Sequence, residues 1–218
     1  MSFEFNLTNT FCISMDSSIE RWERMKRRFE YFHLNVTKWK ASTIETIQDV
    51  FELEYNGRKL RPTEIACAQS HVHIWKYIVN NQLPYAFIME DDACFDKQWR
   101  QKLNTFPINT KWHMILLNAL APSMPLYKWN QCNGQWLAGG YILSLEGANV
   151  LLSLFHNKFT ITDVMTRRLQ SLGLSYTYFP WLIIQEGMDS NNGNNSIYYY
   201  NRVVENLLSI HYSVHNYI

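Results

Sequence analysis

The sequence predicts an α/β fold in which one sheet is covered by helices on both faces. Two observations lead there. Short, largely apolar, β-rich runs alternate with longer stretches of helical periodicity, the pattern of a sheet covered on both faces. No internal repeat suggests a solenoid or propeller. At 218 residues the chain fits a single domain. The division expected is a main domain over residues 1–198 and a C-terminal helical segment, 199–218, packed on it.

The elements follow in order. Residues 9–15 (NTFCISM) form a short apolar strand that runs into Asp16-Ser17-Ser18 and a charged, periodic stretch ending near Phe32. Small polar residues accept the unbonded N–H groups of a helix start, so this reads as strand, cap, helix. Residues 34–41 are extended, and Asn56-Gly57 marks a turn. Pro62 suits a helix start because its missing N–H would be unbonded there in any case. Ile65, Ala68, Val72, Trp75 and Val79 then recur every three or four residues through Asn80. Residues 85–89 (YAFIM) are a compact strand that stops at Glu90-Asp91-Asp92, and 113–117 is another buried strand. Residues 135–145 read as a strand interrupted by Gly139-Gly140. Helices are expected over 146–155 and 163–172, an extended piece over 176–184, a polar loop over 189–196 and an amphipathic helix over 200–211.

Composition narrows the function. The chain is 47% hydrophobic and only 18% charged, with net charge +1, so no broad basic field attracts nucleic acid or an anionic membrane. The basic cluster at Arg21, Arg24, Lys26, Arg27 and Arg28 is interleaved with Glu20, Glu23 and Glu30, the pattern of a solvated helix face. The four cysteines form no C-x-x-C pair and read as thiols in a reducing compartment. No basic stretch followed by an apolar one opens the sequence, and no run approaches the roughly 18 apolar residues of a membrane span. A soluble cytoplasmic protein is expected, and its oligomeric state, a homodimer included, is left open.

The chemistry concentrates at Glu90, Asp91 and Asp92. Three adjacent carboxylates at the end of a buried strand repel one another unless positive charge offsets them. Oxygen-only ligation favours hard cations such as Mn2+ or Mg2+, commonly held by one or two carboxylates while phosphates fill other positions. The plainer account is an acidic turn in which Asp91 or Asp92 caps the following helix.

Resemblance adds to this reading. Ile13 to Asp16 with Arg21, Arg24 and Met25, then Glu64 to His71 (EIACAQSH) with Ile74-Trp75, then Phe87 to Asp92 (FIMEDD), are three ordered blocks similar to glycosyltransferase family 25. Thr63 stands where that family usually has glycine. Gly140 to Ser144 with Gly147-Ala148 and Leu151-Leu152 is also similar, Ile161-Thr162-Asp163 stands where P-v-D is usual, and Pro180, Gln185 and Ser190 fall near late family positions.

The resemblance implies a Rossmann-like GT-A fold, a UDP-sugar donor carrying galactose or glucose, a saccharide or glycosylated acceptor, and inversion at the anomeric carbon. Glu90 to Asp92 would replace the D-x-D motif, with Glu90 and Asp92 on the metal and Asp91 supporting metal or ribose. Inversion needs a carboxylate opposite the leaving group to take the acceptor's proton. Asp163 is the candidate base and Asp189 the reserve. Asp163 also suits a helix N-cap paired with Arg167. Arg21, Ala41 and His71 are expected beside the nucleotide, although a surface arginine, a core alanine and a hydrogen-bonded structural histidine are simpler accounts. His71 shares a helix face with Cys67 and Glu64, yet no further ligand has zinc spacing. Trp112, Trp129, Trp136 and Trp181 can stack on sugars or fill core. The alternatives carried are a non-catalytic nucleotide-sugar or glycan-binding module and, less favoured, a Mg2+-dependent phosphohydrolase.

Overall fold

A computed structural model describes residues 4–107, 109–123, 125–187 and 196–218. The strands are β1 (Thr10–Ser14), β2 (Thr37–Lys40), β3 (Glu54–Tyr55), β4 (Arg58–Lys59), β5 (Tyr85–Glu90), β6 (Ala93–Phe95), β7 (Met114–Leu116), β8 (Lys128–Gln131), β9 (Gly140–Ser144), β10 (Ser175–Phe179) and β11 (Ile183–Gln185). The helices are α1 (Ile19–Tyr31), α2 (Pro62–Asn80), α3 (Trp99–Leu103), α4 (Leu145–Leu154), α5 (Thr162–Gln170) and α6 (Ser196–Ser209).

Seven strands build the central sheet in the order β2-β1-β5-β9-β7-β10-β8. β1 pairs in parallel with β2 and β5, and β7 with β10, whereas β9 and β8 run antiparallel to their neighbours. The sheet is therefore mixed, and the α/β expectation holds. Strand side chains alternate between faces. On one face Phe11, Ile13, Ala86, Ile88, Met114, Leu116, Tyr141 and Leu143 pack beneath α2, α4 and α5. On the other Cys12, Phe87, Met89, Ile115, Leu117 and Ile142 meet Met25 and Phe29 of α1 and Trp99 and Leu103 of α3. Burial on both sides is why these strands are largely apolar on both faces rather than alternating.

Proline starts α2 as expected, and Glu64 closes a capping box on Arg61 N–H at 2.8 Å. Arg58 also grips Glu64, at 2.8 and 2.9 Å. Although burial alone would raise it, these partners hold the Glu64 carboxyl down at about 2. The Asn56-Gly57 turn closes the β3–β4 hairpin. At the start of α4, the Ser144 hydroxyl accepts from Gly147 N–H at 3.0 Å, and Gly147 lies so close to β7 that a Cβ would come within 2.4 Å of the His113 carbonyl oxygen.

Four expectations need correction. The strand expected over 135–145 is only Gly140–Ser144, because the segment before it turns away and lines a cavity with Trp136, Leu137 and Ala138. The extended piece expected over 176–184 divides at Pro180 into β10 of the main sheet and β11, which pairs with β6. The last helix begins at Ser196 and ends at Ser209, and it buries Val203 and Leu207. The charged face of α1 is not simply solvated. Arg21, Arg24 and Arg28, spaced along one side, reach Asp91 and Glu186, and Arg28 is buried. Lys26–Glu23 at 2.7 Å is an ordinary surface pair.

Residues 212–218 are tied in by backbone hydrogen bonds between Phe95 and Ile218 (2.8 and 2.9 Å), and buried Asp96 receives Lys102 (2.8 Å) and the Tyr212 hydroxyl. No helix among the described residues is long and apolar enough to cross a membrane.

Candidate active site

The register places Ile13 opposite Glu90, Ser14 opposite Lys40 and Met89 opposite Gly140. The carboxyl ends of β1, β2 and β5 and the start of β9 therefore share one edge, where open α/β sheets bind ligands. A cavity of about 790 Å³ lies there, within the range of small-molecule sites. Arg21, Ala41, Glu90, Asp91, Asp92 and Asp163, six of the residues singled out from sequence, all line it. Asp189 and Ser190 lie outside the described residues.

The three acids leave β5 in different directions. Asp91 is buried and meets Arg21 at 2.5 Å, while Arg21 reaches Asp92 at 3.4 Å. This supplies part of the positive charge that the triplet demands. Glu90 Oε1 lies 3.3 Å from His71 Nε2 and 3.6 Å from Cys67 Sγ, and Oε2 accepts from Gln185 Nε2 at 3.1 Å. Gln185 also donates to Asp92 at 3.4 Å. His71 is fully buried behind Glu90, with Nδ1 2.8 Å from the Tyr141 hydroxyl, which accepts from Trp75 Nε1–H at 2.9 Å. The ring is thus fixed between the Tyr141 hydroxyl at Nδ1 and Glu90 at Nε2.

Environment separates the acids. Burial raises Glu90, but the hydrogen bond and charge of His71 together with Arg21 outweigh it and hold Glu90 below the usual carboxylate range. Burial outweighs Arg21 at Asp91 and moves it up. Asp92 is pushed up to about 7 by burial and by the charges of Glu90 and Asp91, which Arg21 offsets only in part. Its side chain keeps 19% of its surface exposed, so it remains accessible from the cavity.

Asp163 lies in the first turn of α5, whose N-cap is Ile161. Its carboxylate accepts the backbone N–H groups of Leu137 and Ala138, so it braces the loop before β9 rather than capping its own helix. Burial and then the charge of Glu90 raise it to about 6, against His71 and those two N–H groups. Arg167 is not its ion-pair partner here and instead lies over Trp136, 4.1 Å from the ring centroid. Trp136 lines the cavity. Trp181 is fully buried, and Trp112 and Trp129 pack on Phe106.

Sequence reasoning gave no role to Gln185 or Glu186. β11 delivers both to the cavity: Glu186 is held by Arg24 and Arg28, and its N–H donates to the Asp92 carbonyl at 2.8 Å. Gly139 leaves room for Gln185, since a Cβ there would lie 2.7 Å from its Nε2. The expectation that Cys67 and His71 lack a further ligand with zinc spacing also needs correction. Glu90 joins them from β5, bringing the three ligand atoms within 4.8 Å of one another.

A mixed α/β sheet of Rossmann-like, GT-A type with an acid-lined cavity at its carboxyl edge defines the class of protein. The profile of glycosyltransferase family 25 (LPS biosynthesis protein) matches residues 7–130, and the chain belongs to that family. Among its relatives, human procollagen galactosyltransferase 2 is 26% identical over 132 residues, covering 55% of this chain and 21% of the relative. Procollagen galactosyltransferase 1-A of Xenopus laevis is 27% identical over 179 residues, covering 70% and 28% respectively. A glycosyltransferase 25 family member of Drosophila melanogaster is 29% identical over 110 residues, covering 45% and 18%. The chain thus spans less than a third of the length of these relatives.

Proposed function

We propose that this chain is an inverting glycosyltransferase that moves galactose or glucose from a UDP-sugar to a glycan, lipid-linked or hydroxylysine acceptor with the help of a divalent cation. The observation that carries the reading is the convergence of Glu90, Asp91, Asp92 and Asp163 on one cavity at the carboxyl edge of the sheet. Family membership and relatives named as galactosyltransferases support it.

The donor set suits a hard cation. Asp91 is engaged by Arg21, whereas Asp92 faces the cavity with its charge only partly offset, and Glu90 Oε2 shares Gln185 with it. Glu90 and Asp92 would hold Mn2+ or Mg2+, which when bound offsets the charge gathering on the departing UDP. Arg21 opposes the upward push of burial on Asp91 and fixes the triplet from the side of α1. Ala41 and Ser42 follow β2 at the same edge, where a small side chain leaves room for a flat base. Asp163 takes the acceptor hydroxyl's proton as the glycosidic bond forms. Burial suits it to this, since a base that titrates near 6 is deprotonated at neutral pH yet retains affinity for a proton. Trp136 offers its ring to a sugar, backed by Arg167.

The test is UDP release from UDP-galactose and UDP-glucose with Mn2+ and saccharide acceptors, in the wild type and in Asp92→Ala. Turnover that requires Mn2+ and collapses in the variant supports the reading. Equal, metal-independent background in both proteins overturns it and favours a binding module.

A further inference from the structure

Beyond the hard-cation site, we propose that Cys67, His71 and Glu90 form a second cation site, selective for a borderline-soft ion such as Zn2+, whose fourth position opens into the cavity. Cys67 and His71 stand one turn apart on the same face of α2, and β5 brings Glu90 to them. Tetrahedral zinc, with sulfur at about 2.3 Å and nitrogen or oxygen at about 2.0–2.2 Å, sets neighbouring ligand atoms about 3.3–3.6 Å apart. His71 Nε2 and Cys67 Sγ lie 3.3 and 3.6 Å from Glu90 Oε1. Both separations from Glu90 thus match zinc-ligand spacing, and all three atoms lie within 4.8 Å of one another.

The surroundings fit as well. Metal-bound histidines nearly always bond through the other ring nitrogen, and ligating carboxylates through the other oxygen. His71 Nδ1 has the buried Tyr141 hydroxyl at 2.8 Å, and Glu90 Oε2 has Gln185 at 3.1 Å. The two oxygens of Glu90 thus divide between the sites, Oε1 toward sulfur and nitrogen and Oε2 toward Asp92. Charge also balances. Zn2+ binding releases the Cys67 thiol proton to solvent, and His71 binds as the neutral tautomer with its proton on Nδ1. The thiolate and the Glu90 carboxylate then neutralise the ion. An acid-only site lacks the sulfur that would favour zinc over Mg2+ or Mn2+.

The assignment does not rest on sugar transfer and is tested without it. Co2+, which reports a thiolate ligand through a sulfur-to-metal charge-transfer band in the near ultraviolet, is titrated into the purified protein and back-titrated with Zn2+. The expected result is a band of one-to-one stoichiometry, displaced by Zn2+ and retained in Asp92→Asn and in Cys94→Ser. In Cys67→Ser the band is expected to vanish, with Zn2+ affinity falling at least about 100-fold. A measurement on the unmutated protein makes the outcome independent of the variants' folding: Zn2+ should protect Cys67, and not Cys94, from alkylation mapped by mass spectrometry. No band, a band that survives in Cys67→Ser, or Cys67 alkylated equally with and without Zn2+ overturns the proposal.

Discussion

Asp92→Asn should stabilise the metal-free protein by an amount that grows as pH rises from about 4 to 7 and is full above that. An aspartate in an unfolded chain titrates near 3.9, whereas burial and its acidic neighbours lift Asp92 to about 7. Between those values the folded protein holds a proton that the unfolded chain has released, so stability falls as pH rises through this window. Above pH 7 the full penalty remains, about 4 kcal/mol by linkage. Asparagine is uncharged at every pH and can still accept from Gln185. It loses the Arg21 contact at 3.4 Å, worth up to about 1 kcal/mol. The expected gain at pH 8 is therefore about 3 kcal/mol, or roughly 6–12 °C in Tm for a chain of this size, fading to nothing near pH 4. Urea unfolding in a chelator across pH 4–8 measures it. Mn2+ at a thousand times its Kd should reverse the order, stabilising the wild type by about 4 kcal/mol and leaving the variant nearly unmoved. A variant that is no more stable than wild type at pH 8, or whose advantage does not change with pH, would refute the claim that unrelieved charge is stored at Asp92.

Three further outcomes follow from the same geometry. Asp163→Asn should lower kcat by at least about 100-fold with little change in donor binding by calorimetry. The wild-type rate should rise with pH through about 6, where the base loses its proton, and this limb should disappear in the variant. Tyr141→Phe leaves Trp75 Nε1–H and His71 Nδ1 without their shared buried partner and should cost about 1–3 kcal/mol in chemical denaturation. Gly147→Ala drives a Cβ to within 2.4 Å of the His113 carbonyl, backbone against backbone, so α4 must shift off β7 and a loss of more than about 3 kcal/mol is expected from thermal melts.

The sheet was legible in the sequence wherever burial on both faces made a strand apolar throughout, as at residues 85–89, and α2 wherever proline, capping glutamate and period coincided. The short strands β6 and β8 were not, because three or four residues carry too little pattern. Residues 135–145 misled because apolar side chains that line a cavity look like those that fill a core. The interleaved charges of α1 misled because period alone does not say whether an arginine meets water or a buried carboxylate. The acids at the end of β5 stood out as a charge cluster on an apolar run, and Asp163 as an acid at a helix start. Nothing local marked Gln185 or Glu186 as partners of residues more than ninety positions earlier.

Sequence by itself determined the fold class, the place of the acidic triplet at a strand's end and the need for positive charge beside it, since these depend on local periodicity and on repulsion between adjacent residues. Only the tertiary structure decided that Arg21 answers Asp91, that Asp163 faces the same cavity, and that Cys67 and His71 meet Glu90. Side chains far apart in the chain come within a few ångströms only through strand register and helix packing, and neither is written in any one segment.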